Sequence, residues 1–263
     1  MMRPLDTFID AASIHTVFTD IDDTLTTGGT LLAETYQAME RLYAAGIRVV
    51  PVTGRPAGWC DHIARMWPID GVIGENGAFY YWYDRETRKL RERHVFDAAT
   101  RRGNAERLGE VRDRILAAIP ACGIASDQFC RLYDLAIDFC EDVPPLAGEQ
   151  VQQIADIMRE AGMTAKISSI HVNGWFGNYD KLSMTRCFAS EQWGSELGAL
   201  RGQCVFAGDS PNDEPMFGYF PHSVGVANVR QFVAQMDTPP AYVTEGEGGH
   251  GFAQLAAHLL AHR

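Results

Sequence analysis

Apolar positions cluster into short runs that end abruptly in polar turns, and longer amphipathic stretches separate them. The segment Ile14-His15-Thr16-Val17-Phe18-Thr19 breaks into Asp20-Ile21-Asp22-Asp23-Thr24, which predicts a strand delivering Asp20 to a sheet edge. Residues Leu31 to Ala45 carry a helical period with Leu32, Met39, Leu42 and Tyr43 as core positions, and Gly46 stops that helix. A β-branched run, Ile47 to Thr53, leads through Gly54-Arg55-Pro56 into a second helical stretch ending near Trp67. Gly71-Val72-Ile73 reads as a short strand. The Asn76-Gly77 turn signal then predicts a hairpin with Phe79-Tyr80-Tyr81-Trp82-Tyr83.

From about Asp84 the pattern changes. An arginine-rich stretch, Arg85 to Arg93, reads as a solvated hairpin, and a helix follows over Ala98 to Ile119. Leu132 to Phe139 alternates with period two, which predicts a strand with one face in solvent. A helix from about Leu146 to Ala161, stopped by Gly162, precedes a strand-like segment from Thr164 to Phe176. Buried-strand character then returns at Gln203 to Ala207, Ser223 to Val226 and Ala241 to Val243, each followed by a helical segment. Strands alternating with helices on both sides of an insertion predict an α/β fold. Its core is a doubly wound parallel sheet (Rossmann-like) formed by residues 1–83 and 178–263, and 84–177 form an inserted α+β domain.

Composition narrows the function more than the fold. The 263 residues suffice for one large or two modest domains, and 46% hydrophobic with 22% charged residues is ordinary for a globular chain. A formal net charge of −11 disfavours non-specific binding to nucleic acid or an anionic membrane. An anionic substrate therefore needs a few placed Lys or Arg residues. Six scattered cysteines without a Cys-x-x-Cys pair, and no apolar h-region near the first Met, predict reduced, mostly buried thiols in a cytoplasmic protein. No apolar run approaches the length of a membrane span.

Four segments fall at predicted strand ends or helix starts of the core: Asp20 to Thr24, Thr53-Gly54-Arg55, Lys181, and Gly208-Asp209-Ser210-Pro211-Asn212-Asp213. Any one of them has a plain structural explanation: a strand-end turn, or for Lys181 a solvated helix start beside Asp180. Together they fit phosphoryl transfer to water. That chemistry needs a carboxylate nucleophile, hydroxyl and amide donors around the phosphate oxygens, a lysine and a divalent cation to offset charge, and a second carboxylate to protonate the leaving oxygen.

This set, in this order, resembles the haloacid dehalogenase superfamily of phosphatases. The large insertion resembles the larger α/β cap of its sugar-phosphate branch. Glu75-Asn76-Gly77-Ala78 and the Gly208 to Asp213 motif are similar to those of sucrose-phosphate and mannosyl-phosphoglycerate phosphatases. The resemblance implies a Mg²⁺-dependent phosphatase of a small phosphorylated metabolite, a sugar phosphate in the first instance. Asp20 would then be the nucleophile of a phospho-aspartyl intermediate, and Asp22 the acid/base whose main-chain carbonyl also meets metal. Thr24 would brace the turn, Thr53 and the Gly54 amide would hold phosphate oxygens, and Lys181 would neutralise charge. Asp209 and Asp213 would complete the metal site, and Asn212 would lie within reach of phosphate. The chain departs from the family pattern at Leu182, where many relatives have glycine, and at Asp23, more often glycine, which is read as a turn residue. Arg55 is left outside the catalytic set as a partner for a nearby carboxylate.

In the insertion, period two places His171, Asn173 and Trp175 on one strand face. That face suits sugar recognition, with His171 and Asn173 as substrate ligands, or else it is a solvent face with satisfied polar groups. His250, among Gly248, Gly249 and Gly251, reads as part of a loop. Two alternatives share the scaffold: a phosphomutase, which returns the phosphoryl group to sugar, and a non-catalytic phosphometabolite-binding protein.

Overall fold

The structure is a computed structural model that describes residues 2–168 and 170–263. Its centre is a six-stranded, fully parallel sheet in the order Arg3–Pro4, Tyr242–Val243, His222–Gly225, Cys204–Gly208, Thr16–Thr19, Arg48–Pro51. Alternation along these strands splits the core in two. Val17, Val49, Val205 and Val224 face one way, against the helices Ala33–Ala44, Ala57–Met66 and Gly248–Ala261. Phe18, Val50, Phe206 and Val243 face the other way, against Lys181–Trp193 and Glu214–Tyr219. Both faces are covered, so the two central strands Thr16–Thr19 and Cys204–Gly208 are buried throughout, as their unbroken apolar runs require.

Several local expectations shift. The helix Ala33–Ala44 buries Thr35, Ala38, Met39 and Leu42, but Tyr43 lies on its exposed side. His250 is not in a loop: it sits in the first turn of Gly248–Ala261 and pairs with Glu34. The hairpin forms between Val72–Gly74 and Phe79–Asp84, joined by a single 3-10 turn with Asn76 and Gly77 both at positive φ. Lys89–His94 adds a third strand.

The insertion is a four-stranded antiparallel sheet, ordered Thr164–Ile167, His171–Trp175, Asp134–Asp138, Gly123–Ile124. The single strand expected over 164–176 is thus two antiparallel strands. Ser169, inside that expectation, lies outside the described residues. Helices Ala98–Ala118 and Gly148–Glu160 cover one face of this sheet. Leu108, Val111 and Ile115 pack there with Val151, Ile154 and Met158 on Leu135, Ile137 and Val172, which forms a third hydrophobic cluster.

Over the two central strands the other face does not meet solvent. All of Asp134–Asp138 and His171–Trp175 is buried, because the polar face is turned onto the parallel-sheet domain. Trp175 belongs to the first core cluster and stacks on Tyr179, with ring centroids 5.8 Å apart. Residue 84 ends a hairpin strand whose partner, Lys89–His94, still leads into the core through Leu90, Val95 and Phe96. We propose that the division between the domains falls between His94 and Ala98.

Candidate active site

Three parallel strands end side by side, and their extensions build the site. The Asp20 amide donates to the Ala207 carbonyl at 2.9 Å, which carries the pairing one residue past Thr19. Val52 donates to the Thr19 carbonyl at 2.7 Å, so Thr53 emerges at the same edge. Asp209 follows Gly208 at the end of the neighbouring strand. A Cβ on Gly208 would collide with the Asp213 carboxylate, which folds back to accept the Asp209 amide at 3.1 Å.

Lys181 is the first residue of its helix, capped by Asp180, whose carboxylate accepts the Ser183 amide at 2.7 Å. Gly77, at φ +104°, presses against the Asp180 carbonyl where a side chain would clash. The hairpin turn and the lysine helix are therefore locked together.

Lys181 is not a solvated helix start. It is 4% exposed, with Nζ 2.7 Å from Asp213 Oδ1 and 3.2 Å from Asp20 Oδ1. Burial alone would lower the proton affinity of its ammonium, but Asp20 and Asp213 outweigh it and raise it. Carboxylate oxygens of Asp20, Asp209 and Asp213 all lie within 4.8 Å of one another, and all three residues are buried.

Three buried acids around one lysine leave excess negative charge. Burial pushes Asp20 up to about 7, with Lys181 opposing and Asp213 and Asp22 adding. Burial, then Asp213 and Asp20, pushes Asp209 up to about 9. Asp20 Oδ1 is buried, 3.2 Å from the Lys181 ammonium but without a well-aligned hydrogen bond to it. Such a cluster fits a hard divalent cation with oxygen ligands.

Around this cluster, Thr24 Oγ1 donates to Asp209 at 3.2 Å, and Thr19 Oγ1 donates to the Asp20 carbonyl at 2.9 Å. Asp23 takes positive φ, donates its amide to Thr26 Oγ1 at 3.0 Å and offers its carbonyl to Asn228. It is a turn residue, in a conformation glycine adopts freely and Asp tolerates. Asp22 is not one of the three clustered carboxylates. It takes a two-pronged contact from Arg55, with Nη2 at 2.6 Å and Nε at 2.9 Å from Oδ1, and its side chain stays 40% exposed. Thr53 is fully buried, its hydroxyl accepting the Arg55 amide at 3.0 Å. Gly54 sits beside the Asn76 side chain. Asn212 is half-buried, its Oδ1 accepting from Ser210 Oγ at 3.1 Å.

The insertion closes over these residues. Glu75, fully buried, accepts backbone N–H groups from both domains: Ala57 at 2.9 Å, Leu132 at 2.9 Å, Tyr133 at 2.6 Å and Asp134 at 3.2 Å. Burial and then Asp134 push Glu75 up to about 8, and the amide donors pull it back. Arg131 pairs with Asp127 at 2.9 Å and Asp134 at 3.1 Å, and reaches the Gly54 carbonyl at 3.3 Å. Asn173 Nδ2 donates to Asp134 at 3.0 Å, and His171 Nε2 lies 2.9 Å from Glu141. His171 and Asn173 are thus on the buried, core-facing side, each with a protein partner.

Glu75, Arg131 and Asn228 were not foreseen as parts of the site. Asn228 Nδ2 donates to the Asp23 carbonyl at 2.9 Å and to Asp209 at 3.3 Å, so it braces both acidic motifs. A lone Asn at the start of the 3-10 helix Ala227–Gln235 carries no spacing signal.

Residues 17–101 match the sequence profile of haloacid dehalogenase-like hydrolases. The chain is 26% identical over 251 residues to a phosphoglycolate phosphatase of Pyrobaculum aerophilum, covering 92% of this chain and 94% of that one. Among solved structures, a HAD/COF-like hydrolase from Plasmodium vivax superposes with a TM-score of 0.72 at 15% identity, over 98% of this chain and all of that one. The sucrose-phosphatase of Synechocystis sp. PCC6803, in complex with sucrose and phosphate, superposes with a TM-score of 0.59 at 18% identity, covering 93% and 97%. No helix among the described residues is long and apolar enough to cross a membrane.

Proposed function

We propose that this chain, whose residues 17–101 match the profile of haloacid dehalogenase-like hydrolases and whose fold is shared with a HAD/COF-like hydrolase, is a Mg²⁺-dependent phosphatase of a small phosphorylated metabolite. One observation carries the proposal: the carboxylate of Asp20 is held at a strand end, buried, beside the Lys181 ammonium and two further acids. Relatives named for phosphoglycolate and sucrose-phosphate support the phosphate-ester class, and a sugar phosphate is the first substrate to test.

Asp20 attacks phosphorus as nucleophile, and the ester oxygen leaves. Lys181 and the Thr53–Gly54 turn take the charge on the non-bridging oxygens, with Asn212 at the rim. Lys181 also opposes the burial that raises the proton affinity of Asp20. Asp22, on the turn two residues on, protonates the departing oxygen and then takes a proton from the attacking water. Arg55 holds the Asp22 carboxylate through a fork of hydrogen bonds, which Asp22 must loosen to carry a proton.

Asp20, Asp209 and Asp213, with the Asp22 main-chain carbonyl, would hold the cation. When bound it neutralises the acid cluster and the phosphoryl charge. The cap's buried polar face, seated on the core through Glu75 and Arg131, excludes bulk water from the acyl phosphate.

Asp20→Asn tests this directly. The variant keeps its shape and one hydrogen-bonding oxygen, and hydrolysis of an aryl phosphate falls to background while the melting profile stays cooperative. Turnover near that of the wild type would refute the nucleophile assignment. Isomerised sugar without inorganic phosphate would establish a mutase instead.

A further inference from the structure

The cap sheet carries one cation that none of the interactions above uses. In the register of the cap strands Lys166 lies opposite Asn173, which lies opposite Ala136, so the three side chains share a face. Their neighbours Ala165, Val172, Gly174, Leu135 and Ile137 are on the other side, against Met158 and Met163 and the cap helices. Asn173 bonds to buried Asp134 on the core-facing side. Lys166 therefore projects from the cap toward the strand ends of the core.

The charges it senses agree with that placement. Burial, then the Lys181 ammonium, lowers the proton affinity of Lys166, while Asp213, Asp180 and Asp20 raise it. Yet it forms no ion pair with any described residue, and Asp20 and Asp213 are already held by Lys181. A half-buried ammonium close to a second ammonium is costly without an anion.

We propose that Lys166 is a specificity-determining residue that binds a carboxylate on the alcohol part of the substrate. The preferred ester is then a phosphorylated hydroxy acid or sugar acid and not a phosphorylated neutral polyol. The proposal rests on the phosphatase reading and deepens it. The phosphoryl group occupies the Asp20 and Lys181 side of the cleft, and the rest of the molecule meets the cap, where Lys166 is the group with unspent positive charge. Arg55, Arg131 and Lys181, cations of the same interface, are held by Asp22, Asp127, Asp134, Asp20 and Asp213, and Arg101 lies against His94.

The experiment compares phosphoglycerate with glycerol phosphate, which differ by a carboxylate against a hydroxymethyl group, with an aryl phosphate as control. A charge-assisted contact of about 1.5–3 kcal/mol corresponds to roughly 10- to 100-fold. Wild-type protein should prefer phosphoglycerate by that factor in kcat/KM. Lys166→Met should abolish the preference, mainly through KM, leave the aryl phosphate rate within about twofold, and regain the preference as Lys166→Arg. Equal losses on all three esters would place the lysine on the phosphoryl group and overturn the proposal. So would a wild-type protein without preference for the acid. Failure of wild type on every ester, the aryl phosphate included, would remove the phosphatase reading itself.

Discussion

Replacing Lys181 by methionine isolates the electrostatics on which the site depends. Its ammonium is 2.7 Å from Asp213 and 3.2 Å from Asp20, and at an effective dielectric of about 20 each contact is worth on the order of 5 kcal/mol before desolvation is counted. Removing one partner of a buried ion pair costs about 3–5 kcal/mol, because the remaining charges are stranded. In a domain pair of this size that lowers the metal-free melting temperature by roughly 10 °C. The same deletion removes a cation that competes with metal for Asp20 and Asp213. Mg²⁺ should therefore raise the melting temperature of the variant more than that of the wild type. Hydrolysis should still fall at least about 100-fold with Mg²⁺ saturating, since the phosphoryl charge has lost its fixed partner. Thermal denaturation with and without Mg²⁺, alongside phosphate release, reads all three quantities. A variant with unchanged stability and turnover within about threefold of the wild type would refute the charge-compensation reasoning. A smaller Mg²⁺ shift in the variant would show that lysine and metal do not share ligands.

Glu75→Ala leaves the amides of Ala57, Leu132, Tyr133 and Asp134 without their acceptor. At about 1–3 kcal/mol for each unsatisfied group that stays buried, the cap should detach locally, with faster hydrogen exchange over residues 131–135 and a raised KM; protection as in the wild type would refute the latch. Acidification should weaken metal binding, because Asp20 at about 7 and Asp209 at about 9 must release protons before a cation binds. Calorimetry should show affinity falling as pH drops from 9 to 6, by up to tenfold per unit for each proton displaced, with proton release that depends on buffer; affinity flat across that range would contradict the cluster as the ligand set.

The core strands and their terminal acids are legible in the sequence because a buried parallel strand is an unbroken apolar run and the polar residue ending it marks the sheet edge. Asp20, Thr53 and Asp209 follow from that rule, and Lys181 follows from its place at a helix start. The cap's polar face is less legible. Period two shows that the faces of Asp134–Asp138 differ but not what each one meets, and here the polar side meets another domain. Lys166 is hidden by parity. Taken as one strand from Thr164 to Phe176, the segment puts Lys166 on the same side as Val172 and Gly174. The observed hairpin pairs Lys166 with Asn173 and reverses its side. The signal is Ser168, whose hydroxyl accepts the His171 amide at 3.0 Å. Glu75 bonds to backbone donors more than fifty residues away, and no local pattern encodes that.

The central claim is that Asp20 carries the phosphoryl group. In Asp22→Asn, an aryl phosphate whose leaving group needs no proton should still phosphorylate the protein, while hydrolysis of the adduct stalls for want of a base. Acid-quenched protein, digested and examined by mass spectrometry, should then show one phosphoryl adduct, on the peptide holding Asp20, and none in the Asp20→Asn, Asp22→Asn double variant. A burst of aryl alcohol with the adduct on another residue, or with no adduct at all, would contradict the account.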